Sequence, residues 1–229
     1  RESQTVGTST RGEIVVGSYT TTSVFDIAGG QLSSLTEGTS KNIKGHDTGM
    51  YTTTATYGEE YNNLERQVTT GVNYSYTSEG SRYDSGSYET RAGLIDGVLY
   101  GSIDGYGTVR ESETTGKNFR DSAILGAYTT ISVFDVAGGQ LSSVTDGVSF
   151  TKGGISGKYQ TNSLYGDEYN NMESQITDGW GFNKGDETKV NSQYQTVSLS
   201  SNGDIDGYGT VRKSVTVGTT LSAGNITGQ

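Results

Sequence analysis

Apolar and polar positions alternate with a period of two along this chain. In "VNYSYTS" (72–78), Val72, Tyr74 and Tyr76 hold one parity and polar residues the other, and "VLYGSIDGYGTV" (98–109) interleaves Val, Tyr and Ile with small or polar residues. Runs of β-branched and aromatic residues at 19–25, 50–57, 72–76, 97–103 and 106–109 predict strands. Turn chemistry separates them: "AGG" (28–30), "EG" (37–38), "SEG" (78–80), "DSG" (84–86), and "DG" at 96–97 and 104–105. Glycine in such positions takes positive φ. Signals at intervals of roughly 8–12 residues are the pattern of a sandwich or of stacked sheets. Only "EEYNNLERQV" (59–68) has helical spacing, with Tyr61, Leu64 and Val68 at i, i+3 and i+7, which marks the one candidate short helix. The fold class read from this pattern is all-β.

The pattern also repeats. "SYTTTSVFDIAGGQLSSLTEG" (18–38) returns as "AYTTISVFDVAGGQLSSVTDG" (127–147), and "YGEEYNNLERQVTTG" (57–71) returns as "YGDEYNNMESQITDG" (165–179). "IDGYGTVR" (103–110) returns unchanged at 205–212. The opening phrase "RESQTVG" (1–7) has counterparts in "RESETTG" (110–116) and "RKSVTVG" (212–218). The expected organisation is therefore repeat unit one at 1–109, repeat unit two at 110–211, and an overhang at 212–229 that begins a third unit. Each unit is expected to be sandwich-like or built of stacked β-arches. The overhang has two readings: a strand that closes the second unit, or one that adds to the sheet of a neighbouring copy.

Composition narrows the function. The chain has 229 residues, 26 acidic against 16 basic, with a net charge of −10. That balance argues against nucleic acid, where Lys and Arg must neutralise phosphates, and against docking on anionic lipid. No apolar run approaches the ~20 residues of a membrane helix, so no membrane insertion is expected. With no Cys there are no disulfides, zinc-thiolate sites or cysteine nucleophiles. There is also no Pro, while Gly (35) and Tyr (16) are abundant. The chain opens on Arg1, which reads as a processed chain whose signal peptide has been removed, and hence an extracellular or cell-surface protein.

Few residues carry candidate chemistry. Asn202, Asp204 and Asp206, followed by Gly207, match positions 1, 3, 5 and 6 of a calcium loop. Position 12 is Lys213 rather than a bidentate acid, and the shared "IDGYGTVR" reads equally as a D-G turn between strands. No other cofactor is expected. Glu59, Glu60 and Glu65, with Asp167, Glu168 and Glu173, are the densest carboxylate clusters. A constellation written twice in a tandem repeat points to turn or lattice chemistry, so the chain is read as no enzyme. His46 is the only histidine, with Gly154 in its place in the second copy, and reads as a loop residue. Trp180 replaces Val72 and Phe182 replaces Tyr74, read as core or packing exchanges. No phosphate loop or dinucleotide fingerprint is present. Asn73 and Asn225 head N-x-[ST] sequons, acceptors in a glycosylating host.

Soluble proteins guard exposed strand edges with Pro, Lys and bulges. This chain, with Thr-, Tyr- and Val-rich strands and no Pro, guards them weakly, as a protein selected to assemble edge to edge would. In its Gly/Tyr/Thr-rich, Pro-free, Cys-free, acidic, tandem composition it resembles structural proteins of archaeal cell envelopes, in particular methanogen sheath proteins and extracellular filament subunits. That resemblance covers composition and repeat style and carries over no functional residue. It implies an extracellular structural protein that self-assembles by β-strand pairing into a sheath, filament or surface lattice, with copies of itself as partner. The expected assembly residues are Arg1 and Val6 in the opening strand and Arg212, Val215 and Val217 in the overhang. Tyr57, Tyr61, Tyr165 and Tyr169 are expected in packing ladders. The alternative is a monomeric adhesin or carbohydrate-binding module, with Tyr side chains and Trp180 stacking on a glycan.

Overall fold

A computed structural model describes residues 1–183, 186–222 and 225–228, with Asn225 described by its backbone alone. Among the described residues it contains sixteen β-strands and no α-helix. The chain divides into two compact units, Arg1–Ala123 and Ile124–Gln229.

In unit 1, β1 (Glu2–Arg11), β2 (Ile14–Phe25), β3 (Gln31–Lys41), β4 (Asp47–Tyr57), β5 (Leu64–Tyr76) and β6 (Arg82–Ile95) pair in chain order, each antiparallel to the next. The short β7 (Val98–Tyr100) folds back on β6 through a tight Asp96–Gly97 turn, with φ of 51° and 82°. Two positive φ values at adjacent residues define the hairpin turn whose twist matches that of its strands. After β8 (Ser102–Ile103), β9 (Val109–Arg120) returns along β6 and also pairs β8. Unit 2 repeats the order with β10 (Ala123–Phe134), β11 (Gln140–Thr151), β12 (Gly154–Tyr165), β13 (Met172–Asn183), β14 (Asp186–Leu199), β15 (Val215–Ser222) and β16 (Asn225–Gly228).

The all-β expectation holds, and the layering is simpler than expected. Within a unit, consecutive strands other than β7 and β8 hydrogen-bond to each other, so they form hairpins of a meander rather than arches, which would send consecutive strands to different layers. Among the described residues, no second sheet covers the meander within either unit to make a sandwich. The candidate helix at 59–68 is a turn followed by a strand. The Asn62 amide donates to the Gly58 carbonyl at 2.9 Å, and Asn62 sits at φ 55°. That left-handed residue stops a helix at its first turn. Arg66, Gln67 and Val68 then pair with Thr56, Ala55 and Thr54. Of the overhang's two readings, pairing within unit 2 is present: β15 runs along β14 from Val215↔Val197 to Thr220↔Ser192.

Two expected turns also lie inside strands. Gly38 of "EG" stands in β3 opposite Tyr19 and Tyr51, and Gly86 of "DSG" stands in β6 opposite Asn73 and Asn118. Their role is spatial. Cross-strand partners share a face of the sheet, and the register places tyrosine and glycine in alternation across one face. In unit 1 the row runs Gly7, Tyr19, Gly38, Tyr51, Gly71, Tyr88 and Gly116; in unit 2, Tyr128, Gly147, Tyr159, Gly179, Tyr194 and Gly218. The rings of Tyr19, Tyr51, Tyr88, Tyr159 and Tyr194 lie over Gly7, Gly38, Gly71, Gly147 and Gly179, where any Cβ would overlap them.

A second row, two residues along each strand on the same face, consists of threonines: Thr5, Thr21, Thr36, Thr53, Thr69, Thr90 and Thr114, then Thr130, Thr145, Thr161, Thr177, Thr196 and Thr216. Hydroxyl pairs join them two by two at 2.8 Å: Thr21 with Thr36, Thr53 with Thr69 and Thr90 with Thr114 in unit 1. Unit 2 has Thr130 with Thr145, Thr161 with Thr177 and Thr196 with Thr216, at the same distance. Cross-strand pairs of this kind contribute about 0.2–1 kcal/mol each. They matter here because the buried apolar residues are only Ala55, Ala92 and Ile205 among the described residues. Lateral rows, rather than a core, hold each unit together.

Candidate interaction surface

The hairpin ends of unit 1 between β2 and β3, β4 and β5, and β8 and β9 fall at one end of the meander, because alternate turns of antiparallel strands do so. Each is a turn braced by its own side chains. The Asp26 carboxylate accepts the Gly30 amide at 2.8 Å. Asp104 accepts the amides of Tyr106 and Thr108, both at 3.0 Å. Those amides, Thr108 first, hold the Asp104 carboxyl below its usual range, with Arg110 assisting. The middle loop ties its neighbours together through consecutive asparagines. Asn62 lies against Gly30 on one side, and the Asn63 Nδ2 donates to the Gly105 carbonyl at 2.7 Å on the other. A Cβ at Gly107 would stand 2.7 Å from the Leu64 nitrogen, so this glycine permits the close approach of the third loop.

These loops hold large apolar side chains outward, beside the exposed Glu59 and Glu60. Ile27 is 93% exposed, Tyr61 73% and Tyr106 91%. Beside them an open groove of about 830 Å³ is lined by Tyr61, Leu64, Leu94, Leu99 and Ile103, with Glu60, Glu65, Arg66 and Asp104 among its polar groups. Unit 2 repeats the arrangement. Asp135 accepts the amides of Ala137 and Gly139 at 2.8 Å each, Asn170 lies against Gly139, and Asn171 donates to the Gly207 carbonyl at 2.8 Å. Val136, Tyr169 and Tyr208 are the exposed tips. The β7 hairpin has no counterpart, since a 3₁₀ turn at Ser200–Asn202 follows β14 instead.

The calcium-loop residues lie in this second set of turns. Asp204 is buried; its carboxylate accepts the Leu199 amide at 3.3 Å and faces the Lys213 ammonium at 3.8 Å. Asp206 accepts the amides of Tyr208 and Thr210 at 3.0 and 2.9 Å and pairs with the Arg212 Nε at 2.7 Å. The Thr210 amide, then Arg212, lowers the Asp206 pKa. Asn202 ends the 3₁₀ turn, exposed. These oxygens face backbone amides and cations, the geometry of a turn. No group of three or more His, Cys, Asp or Glu gathers as a metal-ligand set among the described residues.

The remaining expected site residues are dispersed. Glu59, Glu60, Asp167 and Glu168 are exposed turn residues beside Tyr61 and Tyr169, and the Glu65 and Glu173 carboxylates lie against Gly58 and Gly166. His46 is in the exposed β3–β4 turn, its ring 5.0 Å from that of Tyr76. Trp180 is no core residue: it stands 38% exposed on β13 between Lys158 and Gln193. Asn73 is exposed midway along β5, while the Asn225 side chain lies outside the described residues. The Arg1 terminal ammonium donates to the Phe25 carbonyl at 3.0 Å. Val6, Val215 and Val217 are exposed on β1 and β15, and Arg212 is engaged with Asp206. Tyr57 and Tyr165 are half-buried, opposite Leu64 and Met172. Tyr61 and Tyr169 stand outside the tyrosine–glycine rows, on turns.

Sequence reasoning missed those rows and the asparagine braces. The signal for both was present: one Gly or Tyr two residues from a Thr on strand after strand, and "YNN" in both copies. No protein-family model matches the sequence, and no curated protein matches it.

Proposed function

We propose that this chain is an extracellular, non-catalytic structural protein that assembles with copies of itself, by β-strand pairing, into a sheath, filament or surface lattice. The observation that supports this reading is the origin of its cohesion. Threonine and tyrosine–glycine contacts recur from strand to strand with almost no buried core, so each added strand gains the same contacts as the last. Growth of such a sheet has no geometric stopping point. β1 is suited to receive a further strand: among the described residues it pairs only with β2, and it contains neither Lys nor Pro.

Negative-stain electron microscopy of the concentrated chain, beside a version ending at Val211, tests this. Fibres or sheets from the chain are expected, and the shortened version, in which β14 takes the place of β15 as the end strand, shows whether β15 and β16 are needed for the joint. Uniform single particles from both, with and without calcium, would remove the proposal.

A further inference from the structure

The exposed tips on the braced loops are unlike ordinary turn residues. Solvent-facing turns favour Gly, Asn, Asp and Ser. Here two tyrosines and an aliphatic residue stand at the tips in both units: Ile27, Tyr61 and Tyr106, then Val136, Tyr169 and Tyr208. Their exposure contributes nothing to the packing of the unit that carries them. Their positions are nevertheless fixed by the Asp26 and Asp104 turns and the Asn62–Asn63 brace. Large apolar tips gathered on braced turns mark a contact surface, and bracing the turns that carry them beforehand lowers the ordering cost of binding.

The chemistry of the surface selects the partner. The Asp26 and Asp104 carboxylates of these loops turn an oxygen inward to backbone amides, so the outward side chains are the rings and aliphatic tips, with Glu59 and Glu60 beside Tyr61. A phenol ring offers a flat apolar face and a hydroxyl at its edge. That suits a pyranose, whose ring face is apolar and whose rim is hydroxyls. Glu59 and Glu60 beside Tyr61 add acceptors for sugar hydroxyls and repel an anionic polymer. Alternate hairpin ends are two strand spacings apart, about 10 Å, so successive tips meet an extended chain rather than one small molecule. The open groove of about 830 Å³ is lined by Tyr61 and by the exposed Leu94 and Leu99, which flank the β6–β7 turn.

We infer that the loop end of unit 1 binds a neutral polysaccharide chain, which lies across the Tyr61 and Tyr106 rings and against Leu94 and Leu99. The tips of unit 2 add a second, shallower contact of the same kind. This binding is separate from self-assembly through strand edges and stands or falls without it.

The test is retention of the full chain on insoluble cellulose, chitin and mannan, with poly-lysine and heparin matrices for comparison. Binding to at least one neutral polysaccharide is expected, unchanged in about 0.5 M salt, where exposed charge pairs are screened. The Tyr61→Ala/Tyr106→Ala variant is expected to bind roughly tenfold more weakly, as two stacked rings are worth. Tyr169→Ala/Tyr208→Ala should weaken binding less. Because these side chains are nearly free of protein contacts, the variants keep the parent's melting temperature. Three results would overturn the inference: no retention on any neutral polysaccharide, retention only on poly-lysine that salt abolishes, or retention unaffected by loss of Tyr61 and Tyr106.

Discussion

Tyr88 places its ring against Gly71, its partner across β5 and β6, so that the space where a Cβ would be is occupied by the ring. The same relationship joins Tyr194 to Gly179 in unit 2. Gly71→Ala and Gly179→Ala are therefore expected to destabilise by about 1–3 kcal/mol, as overpacking does. Gly105→Ala, which meets nothing within 4 Å, should change stability by less than about 0.5 kcal/mol. Urea denaturation of the three variants checks this, and Tyr88→Ala in the Gly71→Ala background should recover part of the loss. Equal tolerance of all three alanines would show that the rings are not fixed on their glycines.

The threonine row makes a separate claim about coupling. Thr53 and Thr69 share a hydroxyl hydrogen bond at 2.8 Å in a half-buried position. Thr53→Val or Thr69→Val keeps the branched shape and leaves one hydroxyl without its partner, at about 1 kcal/mol. Replacing both removes the orphaned group as well, so the double variant should lose less than the sum of the singles. A double-mutant cycle measures this, and strict additivity would mean that each hydroxyl is satisfied by water instead.

The asparagine braces predict a local effect. Asn63→Ala and Asn171→Ala each remove one hydrogen bond to the neighbouring turn, worth about 1 kcal/mol, and should speed amide exchange in 104–108 and 206–210 respectively. Asn62→Ala should cost about 1–2 kcal/mol because Asn62 sits at φ 55°. Asn62→Gly relieves that backbone term and should cost less. Exchange rates unchanged by loss of Asn63 would place the rigidity of the turn elsewhere.

Acid should loosen the turns. Asp104, Asp135 and Asp206 have pKa values lowered chiefly by the amides of Thr108, Gly139 and Thr210, and Asp186 is lowered to about 2, chiefly by Lys189. A carboxyl whose folded pKa lies below its unfolded one stabilises fully above the unfolded value, and that contribution disappears as pH falls through the folded value. Melting temperature should accordingly change little from neutral pH to about 5 and decline below about 4. Asp206→Asn, which retains an acceptor for the Tyr208 and Thr210 amides, should flatten part of that decline; Asp206→Ala should lower the melting temperature at neutral pH as well. A melting temperature that rises on acidification would contradict the assignment.

Several features were legible in the residues, each for a local reason. Alternation of period two is written in each strand, since successive side chains point to opposite faces. Duplication is written in the letters themselves. The D-G turn at 96–97 follows from glycine's access to positive φ, which depends on no distant neighbour; at 104–105 the turn is present, but the left-handed glycine is Gly107. The Asn62 turn was less legible: Tyr61, Leu64 and Val68 have helical spacing, but the left-handed Asn62 and the pairing partners of 66–68 decide for a strand.

The glycines at 38 and 86 mark the limit of local reading. In sequence, Glu37-Gly38 and Ser85-Gly86 are turn signals; in the fold they lie mid-strand, because what selects glycine at 38 is a ring from another strand. Sequence by itself determined that this protein is all-β, duplicated, acidic and free of thiol chemistry. Only the tertiary structure decided that cohesion runs in lateral rows instead of a core, and which tyrosines pack and which stand exposed. Register is the physical reason: it is set by hydrogen bonds between residues distant along the chain, and a shift of one residue would carry every side chain to the opposite face.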